Sequence, residues 1–114
     1  GVDDLCVMYD ADRIAAMAFL VANTSTLTVH WRTVLRVAVH PSLQGGGVGR
    51  RLMEGVHEIA QHLGVEHLVL SVRDGHGLPA FYERCGYRIY GTHPGAVRVA
   101  PDDTRDEILL VIDL

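Results

Sequence analysis

Lysine is absent from this 114-residue chain; all ten basic residues are arginine. We read this as a habit of genome composition with little functional weight. Cysteine is scarce as well. Cys6 and Cys85 are the only two, which excludes a disulfide framework. No apolar run reaches the roughly 18 residues that a membrane-spanning helix needs, so no membrane partner is expected. No leader peptide is visible. Gly1 opens the chain with no basic start and no apolar run behind it, and a cytoplasmic location is the expectation. A formal charge of −4 argues against a nucleic-acid partner. With 48% apolar and 21% charged residues, intrinsic disorder is excluded. The length suits one domain, residues 1–114, with a real core, and is too short for two.

The most pointed absence is acidic. No Asp or Glu occurs between Asp12 and Glu54, yet Arg13, Arg32, Arg36, Arg50 and Arg51 lie there. Chance clustering is one reading. The other is that an acidic protein keeps this segment free of negative charge because the segment meets an anion.

Local patterns divide the chain into short elements. Leu5 to Tyr9 is apolar and ends at the turn signal Asp10-Ala11-Asp12. Ile14 to Ala22 is a second apolar run; its alanines would allow a helix, but its length and flanking turns favour a strand. Leu27 to Val39 is rich in β-branched residues and reads as a third strand. Val48, Leu52, Val56, Ile59, Ala60 and Leu63 recur at helical spacing, with Gly64 as the C-terminal cap. Val65 to Val72 reads as a strand, and Pro79 to Cys85 as a short helix ended by Gly86. Tyr87 to Tyr90 is a strand broken by His93-Pro94-Gly95; Pro101 to Thr104 is a polar excursion; Glu107 to Leu114 is the last strand. The expected class is α/β (α+β), order β-β-β-α-β-α-β-β: a mixed, mostly antiparallel sheet flanked by helices.

The junction before the long helix is the most informative stretch. Val37 to Val39 runs into His40-Pro41-Ser42-Leu43 and then Gln44-Gly45-Gly46-Gly47-Val48-Gly49-Arg50-Arg51. A helix N-terminus carries about four backbone N–H groups without intrahelical partners and roughly half a unit of positive charge. Glycines there leave those groups bare, so a phosphate can approach. Arg50 and Arg51 oppose the helix dipole by tenths of a kcal/mol each, and make more sense with an anion in front of them. A plain chain-reversing glycine turn is the alternative. A Walker loop would need lysine where Arg50 stands, and a dinucleotide fingerprint would follow its strand directly.

At this junction the chain resembles a known family. Gln44 to Gly49 matches the Q/R-x-x-G-x-G/A acyl-coenzyme A signature of the GNAT N-acetyltransferase superfamily. Leu78-Pro79-Ala80-Phe81-Tyr82-Glu83-Arg84-Cys85-Gly86-Tyr87 resembles that family's A-x-x-(F/L)-Y-E-x-x-G-(F/Y) segment. The two segments stand in family order, and the likeness, of an actinobacterial type, covers Leu5 to Leu114. It implies the acyl-CoA N-acyltransferase fold, acetyl-coenzyme A as cosubstrate, no metal, and a primary amine on a small molecule or a protein as acceptor. It also implies direct attack in a ternary complex. The backbone of Gln44, Gly45, Gly46, Gly47, Val48, Gly49 and Arg50 would hold the pyrophosphate, and Val37 and Val39 the pantetheine arm. An N–H near Val39 would polarise the thioester carbonyl. Tyr82 would protonate the departing thiolate.

Other positions stay open. Family members often carry a glutamate base on the strand that here offers Thr33 and Arg36. His30 and His40 are nearby; an ordinary surface role competes for each. His57, His62 and His67 lack zinc-like spacing with cysteine. His76 stands where an asparagine is common, and Cys85 fits packing better than nucleophilic attack. Asp102, Asp103, Asp106 and Glu107 would attract a cationic acceptor or simply solvate a loop. A non-catalytic acyl-coenzyme A sensor, an antibiotic- or toxin-modifying enzyme and a structural domain are the rival readings. The family also suggests a strand and helices ahead of Leu5. They would be cut away, replaced by a neighbouring subunit in a homodimer, or naturally absent.

Overall fold

The helix and strand periods seen in the sequence become elements of a mixed six-stranded sheet with two helices. The computed structural model describes residues 3–114; Gly1 and the reading placed on it lie outside the described residues. The strands are β1 (Asp4–Asp10), β2 (Arg13–Ala22), β3 (Trp31–Val39), β4 (His67–Arg73), β5 (Arg88–Ala100) and β6 (Asp103–Asp113). The helices are α1 (Val48–His62) and α2 (Leu78–Arg84). The strand order is β1-β2-β3-β4-β6-β5. The described residues form two compact units, residues 3–68 with Leu114, and residues 69–113.

In the first unit β1, β2 and β3 form an antiparallel meander. Cross-strand partners place Cys6, Ala16, Ala18, Leu20 and Val34 on one face, and all five are buried. α1 packs on that face. Its buried stripe is Val48, Leu52, Met53, Val56 and Ala60, one side of a 3.6-residue period. The alanines of β2 leave room for the larger helix side chains, so knob meets hollow. Burying a side chain such as Leu52 or Met53 stabilises by roughly 1.5–3 kcal/mol. Gly64, at φ 79°, ends the helix, and its N–H reaches the Gln61 carbonyl at 3.0 Å.

Ile14 to Ala22 is strand throughout, so its alanines do not make a helix. The third strand starts later than its composition suggests. Thr26–Thr28 forms a 3-10 turn instead, capped by the Ser25 hydroxyl, which accepts from the Leu27 N–H at 3.2 Å. The Asn23 amide then donates to the carbonyls of Thr28 and Trp31. Local side-chain bonds of this kind outcompete β propensity.

In the second unit α2 packs on β5 and β6. The expected break at His93-Pro94-Gly95 is not a break. β5 runs through it to Ala100, absorbing the irregularity between the pairs His93–Glu107 and Val97–Arg105. The Asp106 carboxylate accepts from the Gly95 N–H at 2.9 Å and pins the bulge. Pro101 and Asp102 form the turn of the β5–β6 hairpin, closed by the Ala100–Asp103 pair. The proline sits in the turn, where no ladder donor is needed.

Candidate active site

The end of β3 is bent before it reaches the glycine-rich loop. Phe19 pairs with Leu35 and Met17 with Ala38, so two steps on β2 face three on β3. Arg36 takes up the extra residue at φ 55°, a left-handed conformation. Such a bulge re-aims the residues that follow, here Val37 to Val39. The main chain is then fixed at His40, whose N–H donates to the Ala15 carbonyl at 2.7 Å.

His40 also organises the loop. Its Nδ1 accepts from the Ser42 N–H at 3.2 Å and lies 2.8 Å from the Ser42 hydroxyl. The side chain thereby caps a 3-10 turn, Pro41–Leu43. With Nδ1 facing the Ser42 N–H, the His40 ring holds the turn and leaves its Nε2 edge outside that contact. The Gln44 amide donates back to the Val39 carbonyl at 3.3 Å.

Gly45 and Gly47 follow at φ 83° and 81°. A Cβ on either would meet no atom within 4 Å, so the space above them is open. Gly47 is the N-cap of α1 and brings no side-chain cap. The first turn holds no acid. Arg51 N–H to Gly47 carbonyl, at 3.1 Å, starts the ladder, so the N–H groups of Val48, Gly49 and Arg50 precede it. Arg50 lies 3.7 Å from Glu54 with both side chains largely in solvent, a pair worth about 0–1 kcal/mol that an anion can displace.

A model of the acetyltransferase (GNAT) domain matches residues 2–89. The chain belongs to the GNAT acetyltransferase family. Solved structures share its fold. The Bacillus subtilis acetyltransferase in complex with CoA is 23% identical, with TM-score 0.78 over 93% of this chain and 73% of its own. A GNAT-family acetyltransferase from Streptococcus pneumoniae is 19% identical, TM-score 0.86, over 95% and 65%. The ribosomal-protein-S18-alanine N-acetyltransferase from Escherichia coli is 25% identical, TM-score 0.76, over 92% and 64%. The chain thus spans about two thirds to three quarters of these neighbours. GNAT membership supports acyl transfer from coenzyme A.

Val37, Val39, Gln44, Gly45, Gly46, Gly47, Val48, Gly49 and Arg50 come together in the first unit, on one strand end and the loop–helix junction after it. Tyr82 lies in the second unit, on α2. It is only 6% exposed and packs edge-on against Phe81 and Tyr87. Burial, with a smaller contribution from Cys85, pushes its phenol up to about 12. The ring therefore stays protonated across the neutral range.

Three features escape sequence reading. The β3 bulge carries no glycine at its left-handed residue, so Arg36 shows no signature. His40 as a cap is written in His40-Pro41-Ser42, although histidine is an unusual cap. His76 sits at φ 56° between Gly75 and Gly77, also at positive φ. An asparagine, common there in the family, meets the same backbone demand. Two acids of the β5–β6 hairpin are engaged internally: Asp103 with Arg105 at 2.8 Å, and Asp106 with Gly95. Among the described residues, no group of three or more His, Cys, Asp or Glu is arranged to hold a metal.

Proposed function

We propose that the chain is an N-acetyltransferase using acetyl-coenzyme A and a primary amine. The observation that carries this reading is the start of α1. Left-handed glycines, open space above them, no side-chain cap and no acid combine with N–H groups that precede the helix ladder. These residues fit a pyrophosphate. Val37 and Val39 would hold the pantetheine arm by their backbone, and a nearby N–H would stabilise charge on the thioester oxygen. Bound acetyl-coenzyme A supplies the activated acyl group.

The remaining chemistry is orientation and proton handling. The amine must arrive neutral, and His30 and His40 are the two histidines considered as base. Tyr82 serves the departing thiolate. A phenol near 12 facing a thiol near the ordinary ~8.5 is about 3.5 units too weak for complete transfer. Its role is a hydrogen bond to the thiolate as charge develops, with the proton shared late. The acceptor is a small-molecule or protein amine; the Escherichia coli neighbour, named for a ribosomal-protein alanine, keeps the protein amine in view.

A non-catalytic sensor is the second reading, favoured by β3 presenting Thr33 and Arg36 and no carboxylate. Thermal unfolding with acetyl-coenzyme A tests binding: at 100 times its dissociation constant the ligand adds about 2.7 kcal/mol. No stabilisation overturns both readings. Thiol release with an amine panel separates them, because a sensor binds and never turns over.

A further inference from the structure

The start of β6 is tied to the loop that precedes α2. The Asp106 carbonyl accepts from the Asp74 N–H at 2.9 Å, while its carboxylate holds the Gly95 bulge. One residue earlier, Arg105 is gripped by Asp103 through two bonds, Nε to Oδ1 at 2.8 Å and Nη2 to Oδ2 at 3.2 Å. This bidentate pairing fixes the plane of the guanidinium. The remaining nitrogen, Nη1, lies over Gly75: a Cβ on that glycine would come within 3.0 Å of it. Asp103, by hydrogen bond and charge, keeps the guanidinium in its charged form, and the Asp74 carboxylate acts in the same direction.

Arg105 covers the strained part of that loop. Gly75, His76 and Gly77 stand at φ 109°, 56° and 68°, three left-handed residues in succession, and the middle one is not a glycine. Such a backbone persists only where its surroundings over-determine it. The Asp74 carboxylate accepts from the Gly75 N–H at 2.9 Å. The Leu78 N–H donates to the Gly75 carbonyl at 3.3 Å, and the Phe81 N–H to the Gly77 carbonyl at 3.0 Å. Those last two bonds open α2, so the direction in which the helix leaves depends on where Gly75 and Gly77 are held. Tyr82 lies in the next turn. We propose that Arg105 is a positioning residue: with Asp103 as its anchor it sets the loop 74–77, and through the loop the start of α2 and the Tyr82 hydroxyl. The catalytic part of this rests on Tyr82 serving the thiolate. A pair that served the hairpin alone would not bring its third nitrogen against a segment distant in sequence.

The test uses the full chain and two readouts: turnover, as thiol release from acetyl-coenzyme A with an amine of the panel, and hydrogen exchange at the Leu78 and Phe81 amides. Arg105→Ala is expected to lower kcat about 10-fold with KM for acetyl-coenzyme A held within about 2-fold, and to speed exchange at both amides about 10-fold. Added to Tyr82→Phe, it should cost less than about 3-fold more, because a displaced hydroxyl and an absent one lose the same contact. Arg105→Lys keeps the charge without the fork and should show the same changes in smaller degree, which keeps the test decisive if the alanine variant misfolds. Arg98→Ala, at an exposed arginine of the same hairpin, is the control and changes neither readout. Fully additive losses, an unchanged kcat beside a slowed Tyr82→Phe, or unchanged exchange overturns the proposal. A Tyr82→Phe enzyme at full speed refutes the reading of Tyr82 and with it the catalytic part, while faster exchange still upholds the hold on α2; if no amine turns over, exchange decides that hold alone.

Discussion

Gly47→Ala separates two jobs that one glycine performs. The residue is the N-cap of α1 at φ 81°, and an added Cβ meets nothing within 4 Å. The cost to the free protein is therefore backbone strain alone. A left-handed L-residue costs about 1–2 kcal/mol, and reduced freedom of the unfolded chain returns about 0.5–1. The net loss is about 1 kcal/mol, or about 4 °C in Tm for a chain of this size. In the complex the same methyl occupies the open space proposed for a phosphate. Losing one partly buried contact with the helix terminus, about 2 kcal/mol, weakens acetyl-coenzyme A binding about 30-fold. Two other glycines calibrate the result. Gly64→Ala, at φ 79° at the far end of α1, should lose similar stability and leave binding unchanged. Gly55→Ala, inside the helix with open space at Cβ, should gain about 0.5–1 kcal/mol. Urea unfolding and calorimetric titration read both quantities. Wild-type affinity in Gly47→Ala, with the stability loss present, would refute the phosphate argument.

Tyr82→Phe should lower kcat about 10- to 100-fold with little change in KM for acetyl-coenzyme A, because a charge-assisted hydrogen bond of about 1.5–3 kcal/mol is lost as thiolate forms; unchanged steady-state turnover excludes the role. Alkaline stability should fall because buried Tyr82 keeps its proton to about 12 while the unfolded chain releases it near the ordinary 10.0. Its contribution is complete below pH 10 and declines by about 1.4 kcal/mol per pH unit up to the folded value. Tyr87, raised by burial in the same direction, adds to the decline, so the urea midpoint at pH 11 should lie below that at pH 9 and Tyr87→Phe should shrink the gap. Ala11→Gly should stabilise by roughly 0.5–1 kcal/mol in thermal unfolding, since Ala11 holds φ 53° in the β1–β2 turn. His40→Ala should raise KM for acetyl-coenzyme A several-fold at constant kcat, and His40→Asn, which restores a cap acceptor, should recover most of the loss.

The elements with a strong period were legible. The α1 stripe and the Gly64 stop follow from local chemistry, as do the turns at Asp10-Ala11-Asp12 and Gly86. The glycine-rich start of α1 was legible because consecutive glycines mark a bare, left-handed backbone. Local reading went astray where a distant partner decided. His93-Pro94-Gly95 reads as a terminator, yet β6 supplies the pairing, and Asp106 the bond, that carry β5 across it. Leu27 and Val29 look like strand residues, yet the Ser25 cap claims the turn before Trp31.

The sequence by itself determined the class of fold, the glycine-rich junction from Gln44 to Arg50 and the family likeness. Each rests on residues close together in the chain, where spacing and backbone chemistry are decisive. Only the tertiary structure decided that Arg36 bulges, that His40 caps the turn at Pro41–Leu43, and that Tyr82 is buried against Phe81 and Tyr87. Those properties depend on which strands pair and which groups leave water, and neither is written within a single stretch of chain.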